Sequence, residues 1–341
     1  MSVTIVDIAK QAGVSPSTVS RVISGHPKIS PATVRKVKSI MEELNYHPNI
    51  MAKSLVSKVT NTIGILLPRP AEELFLNLFF SEMIRGVVTQ AARSSYDLLM
   101  ATGTTEREEV EAITRLVRGR RIDGVILLYS RQADPVISFL KEEKFPFVLI
   151  GRNDEHPDIL TVDNNNVQAA FDVTRHLIAQ GHTRVGFVSG PPTLTVSRDR
   201  LEGYKLAMQQ ENLSVNPEWI VEGDFLQESG YRAMSYIMNL PERPTALVVM
   251  DDLVAFGVLG GLTELGYKVP QDLCLAAFNN TPMSELTSPP ISSVDIGIYQ
   301  LGYTASQTLL RAVKGETVHQ NRVLIPHRFF PRESSLHTIH K

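Results

Sequence analysis

Only one cysteine, Cys274, stands in the 341 residues. Disulfides within the chain and cysteine-based zinc sites are thereby excluded, and the scarcity suits a reducing cytoplasm. Its setting, "DLCLAAF", reads as a buried strand, so packing is its expected role. No apolar run reaches the roughly 18 residues that a membrane-spanning helix requires. The N-terminus "MSVTIVDIAKQAGV" lacks the basic start and unbroken apolar stretch of a secretory signal, and a cytoplasmic location is expected. Common catalytic patterns are missing too: there is no Walker loop, G-x-G-x-x-G after a strand, G-x-S-x-G elbow or H-E-x-x-H. Asp251 and Asp252 are adjacent at a helix start and do not face one another as an acid/base pair must. No enzyme activity, catalytic residue, metal or cofactor is expected.

What is present is a globular composition, 43% hydrophobic and 21% charged, long enough for two or three domains. The net charge of −2 conceals an asymmetry. Eight of the 34 Lys and Arg, but only three of the 36 Asp and Glu, fall in the first 60 residues. A basic head on an acidic body implies that the head alone meets a polyanion.

The head reads as three short helices marked by their caps. Thr4 and Asp7 form a capping box before "IVDIAKQA", and Gly13 supplies a left-handed stop. Ser15 caps a second helix with Pro16 at its first position, where a missing N–H costs nothing. Ser30-Pro31 repeats the device. Ile5, Ile8, Ala9, Val14, Val19, Val22, Ile23, Val34, Val37, Ile40 and Leu44 recur at helical spacing and suffice for one small core. Two helices joined across Gly13-Val14 have the helix-turn-helix layout, whose second helix lies in a major groove. Short hydroxyl side chains permit a close approach there, and Arg21 has the reach for guanine. A small helical bundle with a polar face gives the same spacing; the basic surplus favours DNA. "NIMAKSLVSKVTNT" after Pro48 is too short and polar to bury itself, so it is either a linker or a helix that forms only against a partner. In the second case Leu55 is an exposed wedge for a minor groove.

From Thr62 strands and helices alternate: "TIGILLP", "DLLMAT", "GVILLY" and "FPFVLIG", then, from about Asp163, "RVGFVSG", "ALVVM" and "LCLAAF". This predicts two doubly wound parallel-sheet units in tandem, with a ligand cleft beyond the carboxyl ends of the strands. The residues placed there are Phe79 and Phe80, Arg152, Asp163 to Asn166, Arg198 and Arg200, Asp251 and Asp252, and Asn279 and Asn280. Aromatic faces with arginines, carboxylates and amides suit a polyhydroxylated neutral ligand. Singly, each residue fits an ordinary cap or ion pair, and "GVLGG" inside a helix pattern reads as close packing.

Head and body together resemble the LacI/GalR family of sugar-responsive transcriptional repressors over essentially the whole chain. The resemblance lies in "VTIVDIAKQAGVSPSTVSRVISG", "ISPATVRKVKSIMEELNYHPN", the hinge "MAKSL", "RIDGVIL", "GHTRVGFVSGP", "SRDRLEGY", "RPTALVVMDD" and "SPPISSVD". It implies an all-α helix-turn-helix head, residues 1–47, a hinge, 48–61, and an α/β body of the periplasmic-binding-protein type, 62–341. Within the body, one subdomain is expected over 62–162 plus about 293–321, and the other over 163–292 plus about 322–341. The strand near Ser292 is expected to cross back to the first, making three linkers.

By the same resemblance Pro16, Ser17 and Arg21 read base edges, while Thr4, Ser15, Thr18 and Asn49 contact phosphate. Ala52 and Leu55 fall on minor-groove positions. Phe79, Phe80, Arg152, Asn166, Arg198, Arg200, Phe225, Asp251 and Asn279 are the expected effector contacts. Many members have "YDN" or "YDD" where this chain has "FNN", with Asn279 at the aspartate position. This, with "EELFLNLFF", "IGR" and "TVDNNN", is most similar to the maltose-operon repressors of Gram-positive bacteria, implying maltose or a maltodextrin as effector. "SSLHTIHK" carries no leucine heptads, so a homodimer on a pseudo-palindromic operator in double-stranded DNA is expected. The alternatives are a catabolite-control regulator with a phosphorylated carrier protein as co-repressor and, opposed by the basic head, a sugar-binding transport protein.

Overall fold

The computed structural model describes residues 3–46, 59–67, 74, 76–318 and 320–336. The chain divides into two units, Met1–Thr60 and Asn61–Lys341. In the first, helices α1 (Ile5–Ala12), α2 (Pro16–Ile23) and α3 (Pro31–Glu43) form where the caps predict. The Thr4–Asp7 capping box is complete, and Gly13 turns out of α1 at φ 65°. The Ser15 and Ser30 side chains accept from the Thr18 and Thr33 amides, each with proline at the first helical turn. Ile8, Ala9, Ala12, Val19, Val22, Val37 and Ile40 are buried together, and the other apolar residues expected in the core pack around them. The hinge positions Asn49, Ala52 and Leu55 lie outside the described residues.

The second unit contains two six-stranded sheets. The first lobe runs β1 (Thr62–Leu67), α4 (Leu78–Arg93), β2 (Asp97–Thr102), α5 (Glu106–Arg118), β3 (Gly124–Leu127), α6 (Pro135–Glu142), β4 (Phe147–Ile150) and β5 (Thr161–Asp163). The second runs α7 (Asn166–Ala179), β6 (Val185–Ser189), α8 (Thr195–Gln210), β7 (Ile220–Glu222), α9 (Gln227–Ile237), β8 (Ala246–Val249), α10 (Asp252–Glu264), β9 (Cys274–Phe278), α11 (Pro282–Leu286) and β10 (Ser292–Asp295). Then follow α12 (Ile298–Val313), β11 (Arg322–Leu324) and β12 (Arg328–Phe330). The sheet orders are β11-β5-β4-β3-β1-β2 and β12-β10-β9-β8-β6-β7. Within the two sheets all strand pairings are parallel except β10 with β12. Each sheet reverses its winding at one point, between β1 and β3 or between β6 and β8, and the crevice at that point is where a doubly wound sheet receives ligand.

Three crossovers join the lobes: the first follows β5, beside the expected boundary at 162/163, and the other two lie a few residues beyond theirs. The strand near Ser292 does not cross: β10 pairs with β9 and completes the second sheet. The chain returns after Asp295, and α12 packs on α4 and the first sheet. Residues 322–324, expected in the second subdomain, form β11 and pair with β5 of the first sheet. The last crossover therefore lies between Leu324 and Arg328, where β12 pairs with β10. Both strands are three residues long, too short for any periodicity to reveal.

Glycines bring three helix pairs into backbone contact. A Cβ at Gly86 would strike the Tyr299 carbonyl, and one at Gly302 that of Met83, where α4 crosses α12. Gly203 meets Val167 between α8 and α7, while Gly230 and Gly257 meet Val254 and Gln227 between α9 and α10. Of the "GVLGG" glycines, Gly257 and Gly261 pack as expected and Gly260 faces open space. Cys274 is buried in β9. Among the described residues no helix is long and apolar enough to cross a membrane.

Candidate functional site

Two surfaces carry the expected chemistry. On the head, α2 exposes Pro16, Ser17, Ser20 and Arg21, and Thr18 is half-buried. Ser15 Oγ lies 2.8 Å from Ser17 Oγ and 2.9 Å from Thr18 Oγ1, so the hydroxyls that start the helix are ordered by one another. Thr4 stands exposed at the start of α1, its hydroxyl donating to Asp7. Arg21, in the last turn of α2, makes no ion pair among the described residues. The face carries short hydroxyls at the helix N-terminus and one guanidinium, without an ion pair among the described residues, in the last turn, which suits a phosphate backbone and a guanine edge.

The second surface is a cavity of about 390 Å3 between the two lobes, bounded by residues that follow the strand ends of both sheets. Its volume falls in the usual range for small-ligand sites. Phe79 and Phe80 stand on the first turn of α4 with rings edge to face at 5.1 Å. The N-cap of that helix, Asn77, accepts from the Phe79 amide and donates across the cleft to Asp251 Oδ2 at 3.2 Å. Asp251 caps α10 and is buried; the same oxygen accepts from Asn279 Nδ2 at 2.7 Å. Burial pushes the Asp251 carboxyl upward, while the Asn77 donor opposes that shift. An aspartate at 279 would set two carboxylates against each other at this separation, whereas the Asn279 amide donates to Asp251. Asn279 Oδ1 is buried and has no hydrogen-bond partner among the described residues.

Three arginines line the cavity, and their charges are mostly committed. Arg152, after β4, makes a two-pronged pair across the cleft with Asp199 of α8, at 2.6 and 3.1 Å, and also meets Asp154. Its Asp199 bond raises the Arg152 pKa. Arg131 pairs with Glu109 and with Asp134. Arg200 is buried over the Phe278 ring and donates to Asn166 Oδ1 and the Met250 carbonyl. Burial brings its pKa down to about 10, against the pull of Asp251 and Asp163, so it stays cationic at neutral pH. Its Nη2 group makes no hydrogen bond among the described residues. Ser130 Oγ meets Thr195 Oγ1 at 3.2 Å, and the Thr195 amide donates to the Ser130 carbonyl, closing one edge of the cleft.

Most of the expected effector residues are brought together: Phe79, Phe80, Arg152, Asn166, Arg200, Phe225, Asp251 and Asn279 all line the cavity. Arg198 does not. It sits one residue off the inward face of α8, and its Nη2 turns back to Thr195 Oγ1 at 3.4 Å. Asp252 lies behind the wall, accepting from Thr281 and Ser293, and burial raises it to about 7. Asn280 likewise turns away, accepting from Arg332. Sequence reasoning missed Asn77, Ser130, Thr195 and Asp199. Asn77 carries the signal of a helix cap, but nothing local shows its second bond, 174 residues away.

Residues 4–49 match the model "Bacterial regulatory proteins, lacI family", and residues 174–335 match "Periplasmic binding protein-like domain". The chain is 37% identical over 336 residues to the HTH-type transcriptional regulator MalR of Streptococcus pneumoniae, covering 97% of this chain and all of that one. It is 34% identical to catabolite control protein A of Priestia megaterium, over 98% of this chain and all of the relative. The lac repressor dimer bound to operator and the anti-inducer ONPF superimposes with a TM-score of 0.87 at 26% identity, over 98% of this chain and all of that one. Similarity of this extent leaves one conclusion: the chain belongs to the LacI family of bacterial regulatory proteins.

Proposed function

We propose that the protein is a homodimeric repressor that releases a pseudo-palindromic operator when a neutral sugar, maltose or a short maltodextrin, fills the interlobe cavity. One observation carries the sugar reading. The cavity offers a buried acceptor without a partner among the described residues, Asn279 Oδ1, and two of its three arginines, Arg152 and Arg131, are already paired with Asp199, Asp154, Glu109 and Asp134. A phosphorylated or carboxylated ligand finds few free cations there, whereas hydroxyl groups donate and accept at once. Phe79 and Phe80 present apolar faces of the kind that stack on sugar rings. The likeness to MalR supports the same reading.

On the head, Thr4, Ser15 and Thr18 hold phosphates while Pro16, Ser17 and Arg21 face bases. Sugar prefers the closed cleft, and operator disfavours that state by the same coupling free energy. The test is fluorescence anisotropy of a labelled operator with maltose, maltotriose, glucose and a phosphorylated sugar. Maltose or maltotriose is expected to weaken operator binding by roughly 5-fold to 150-fold, the usual span of such couplings. Operator affinity unchanged across the panel overturns the inducer reading. Tightening only by a phosphorylated carrier protein transfers the protein to the catabolite-control type.

A further inference from the structure

The three crossovers are short and separate in sequence, yet one side chain holds all of them. Asn164 lies in the first crossover, between β5 and α7, and is buried. Its Nδ2 donates to the Ile296 carbonyl at 2.8 Å, in the second crossover. The same nitrogen donates to the Ile325 carbonyl at 2.9 Å, in the third. With two carbonyls against it, the amide can point only one way, since the flipped form would set oxygen against oxygen. Asn164 also lines the cavity, and its Oδ1 makes no hydrogen bond among the described residues. One amide thus grips the hinge with its nitrogen and leaves its oxygen for the cavity.

A second connection runs beside it. Arg200 donates to Asn166 Oδ1 at 3.1 Å, and Asn166 Nδ2 donates to Asp163 Oδ1 at 3.2 Å. Asp163 Oδ2 then accepts from Arg322 at 2.8 Å, on the strand that enters the third crossover. The Ile325 amide bonds to the Asp163 carbonyl at 2.8 Å, fixing the third crossover to the first through the backbone as well.

We propose that Asn164 is the positioning residue that converts occupancy of the cavity into a change at all three crossovers. A ligand hydroxyl that donates to Oδ1 polarises the amide, strengthens its two N–H bonds, and favours the arrangement of the crossovers that those bonds define. This rests on the sugar reading for its ligand, but the grip on the hinge is a property of the free protein. Both can therefore be tested, and can fail, separately.

The experiment uses the full-length protein with Asn164→Ala and Asn164→Ser, the serine keeping one short donor. In the free protein, amide exchange at residues 296–298 and 325–327 is expected to rise roughly 10-fold in Asn164→Ala and less in Asn164→Ser, with Cys274–Phe278 unchanged. The ratio of operator affinities without and with saturating maltose is expected to shrink by roughly 5-fold or more in Asn164→Ala. A purely structural residue would move stability and leave that ratio alone. Unchanged exchange at the crossovers overturns the grip, and an unchanged maltose ratio overturns the coupling. Loss of protection throughout both variants overturns the proposal too, because Asn164 would then hold the fold rather than the hinge. Wild type that ignores every sugar sinks the sugar reading alone and leaves the exchange result standing.

Discussion

The exposed face of α2 and the wall of the interlobe cavity both order polar side chains by hydrogen bonds, but over very different distances. On the head, Ser15 is ordered by Ser17 and Thr18, two and three residues away, and all of these bonds are at the surface. In the cavity, Asp251 is ordered by Asn77, 174 residues away, and Arg152 by Asp199, 47 residues away. A local set at the surface can exchange its partners for water with little loss. Buried donors and acceptors that come from opposite lobes have no such substitute, and each depends on the others being in place.

This contrast can be broken by experiment. The largest effect is expected for Asp251→Ala, which leaves Asn77 Nδ2, Asn279 Nδ2 and the Leu253 amide without their acceptor. Urea unfolding of the body should show a loss of about 3 kcal/mol or more, typical of buried bonds to a charged group. A loss below that of a surface substitution would mean that the cross-cleft bonds exchange freely with water. Next is the Arg152–Asp199 pair, tested by a double-mutant cycle with alanine at each position. A coupling of about 2 kcal/mol is expected, because Asp199 is buried and the contact is two-pronged. Strict additivity would place the two lobes out of contact there in solution. Smallest is Ser15→Ala, expected to cost the head about 1 kcal/mol through the lost cap and to leave the melting of the body unchanged. An equal fall in both transitions would show that the division into local and long-range order is wrong.

The same division decides what could be read in the sequence. The head was legible because its signals act over three or four residues: Thr4 with Asp7, Ser15 before Pro16, Ser30 before Pro31. The alternation of strands and helices was legible because strands such as Cys274–Phe278 are unbroken apolar runs, buried on both faces. Thr161–Asp163, Ile220–Glu222, Arg322–Leu324 and Arg328–Phe330 were not, since three residues carry no period. Most of the cavity residues followed from their positions after strands. Arg198 did not belong because helical phase, not proximity to Arg200, decides which way a side chain turns. Asn77 and Asp199 stayed hidden because their partners are chosen by the tertiary fold. The "FNN" departure was legible only as a difference; in the structure Asn279 donates to the Asp251 carboxylate.

The helix pairs that cross at Gly86 and Gly302, at Gly203, and at Gly230 and Gly257 set how this molecule can move. Where backbone rests on backbone, there is no layer of side chains to shear, and sliding would drive peptide groups into one another. Each lobe is therefore stiff, and compliance is left to the few residues between Asp163 and Asn166, Asp295 and Ile298, and Leu324 and Arg328. Stiff arms on a short pivot act as a lever: a small rotation at the pivot becomes a large displacement at the outer surface. A ligand needs to bias only those few peptide bonds to be felt at a distance.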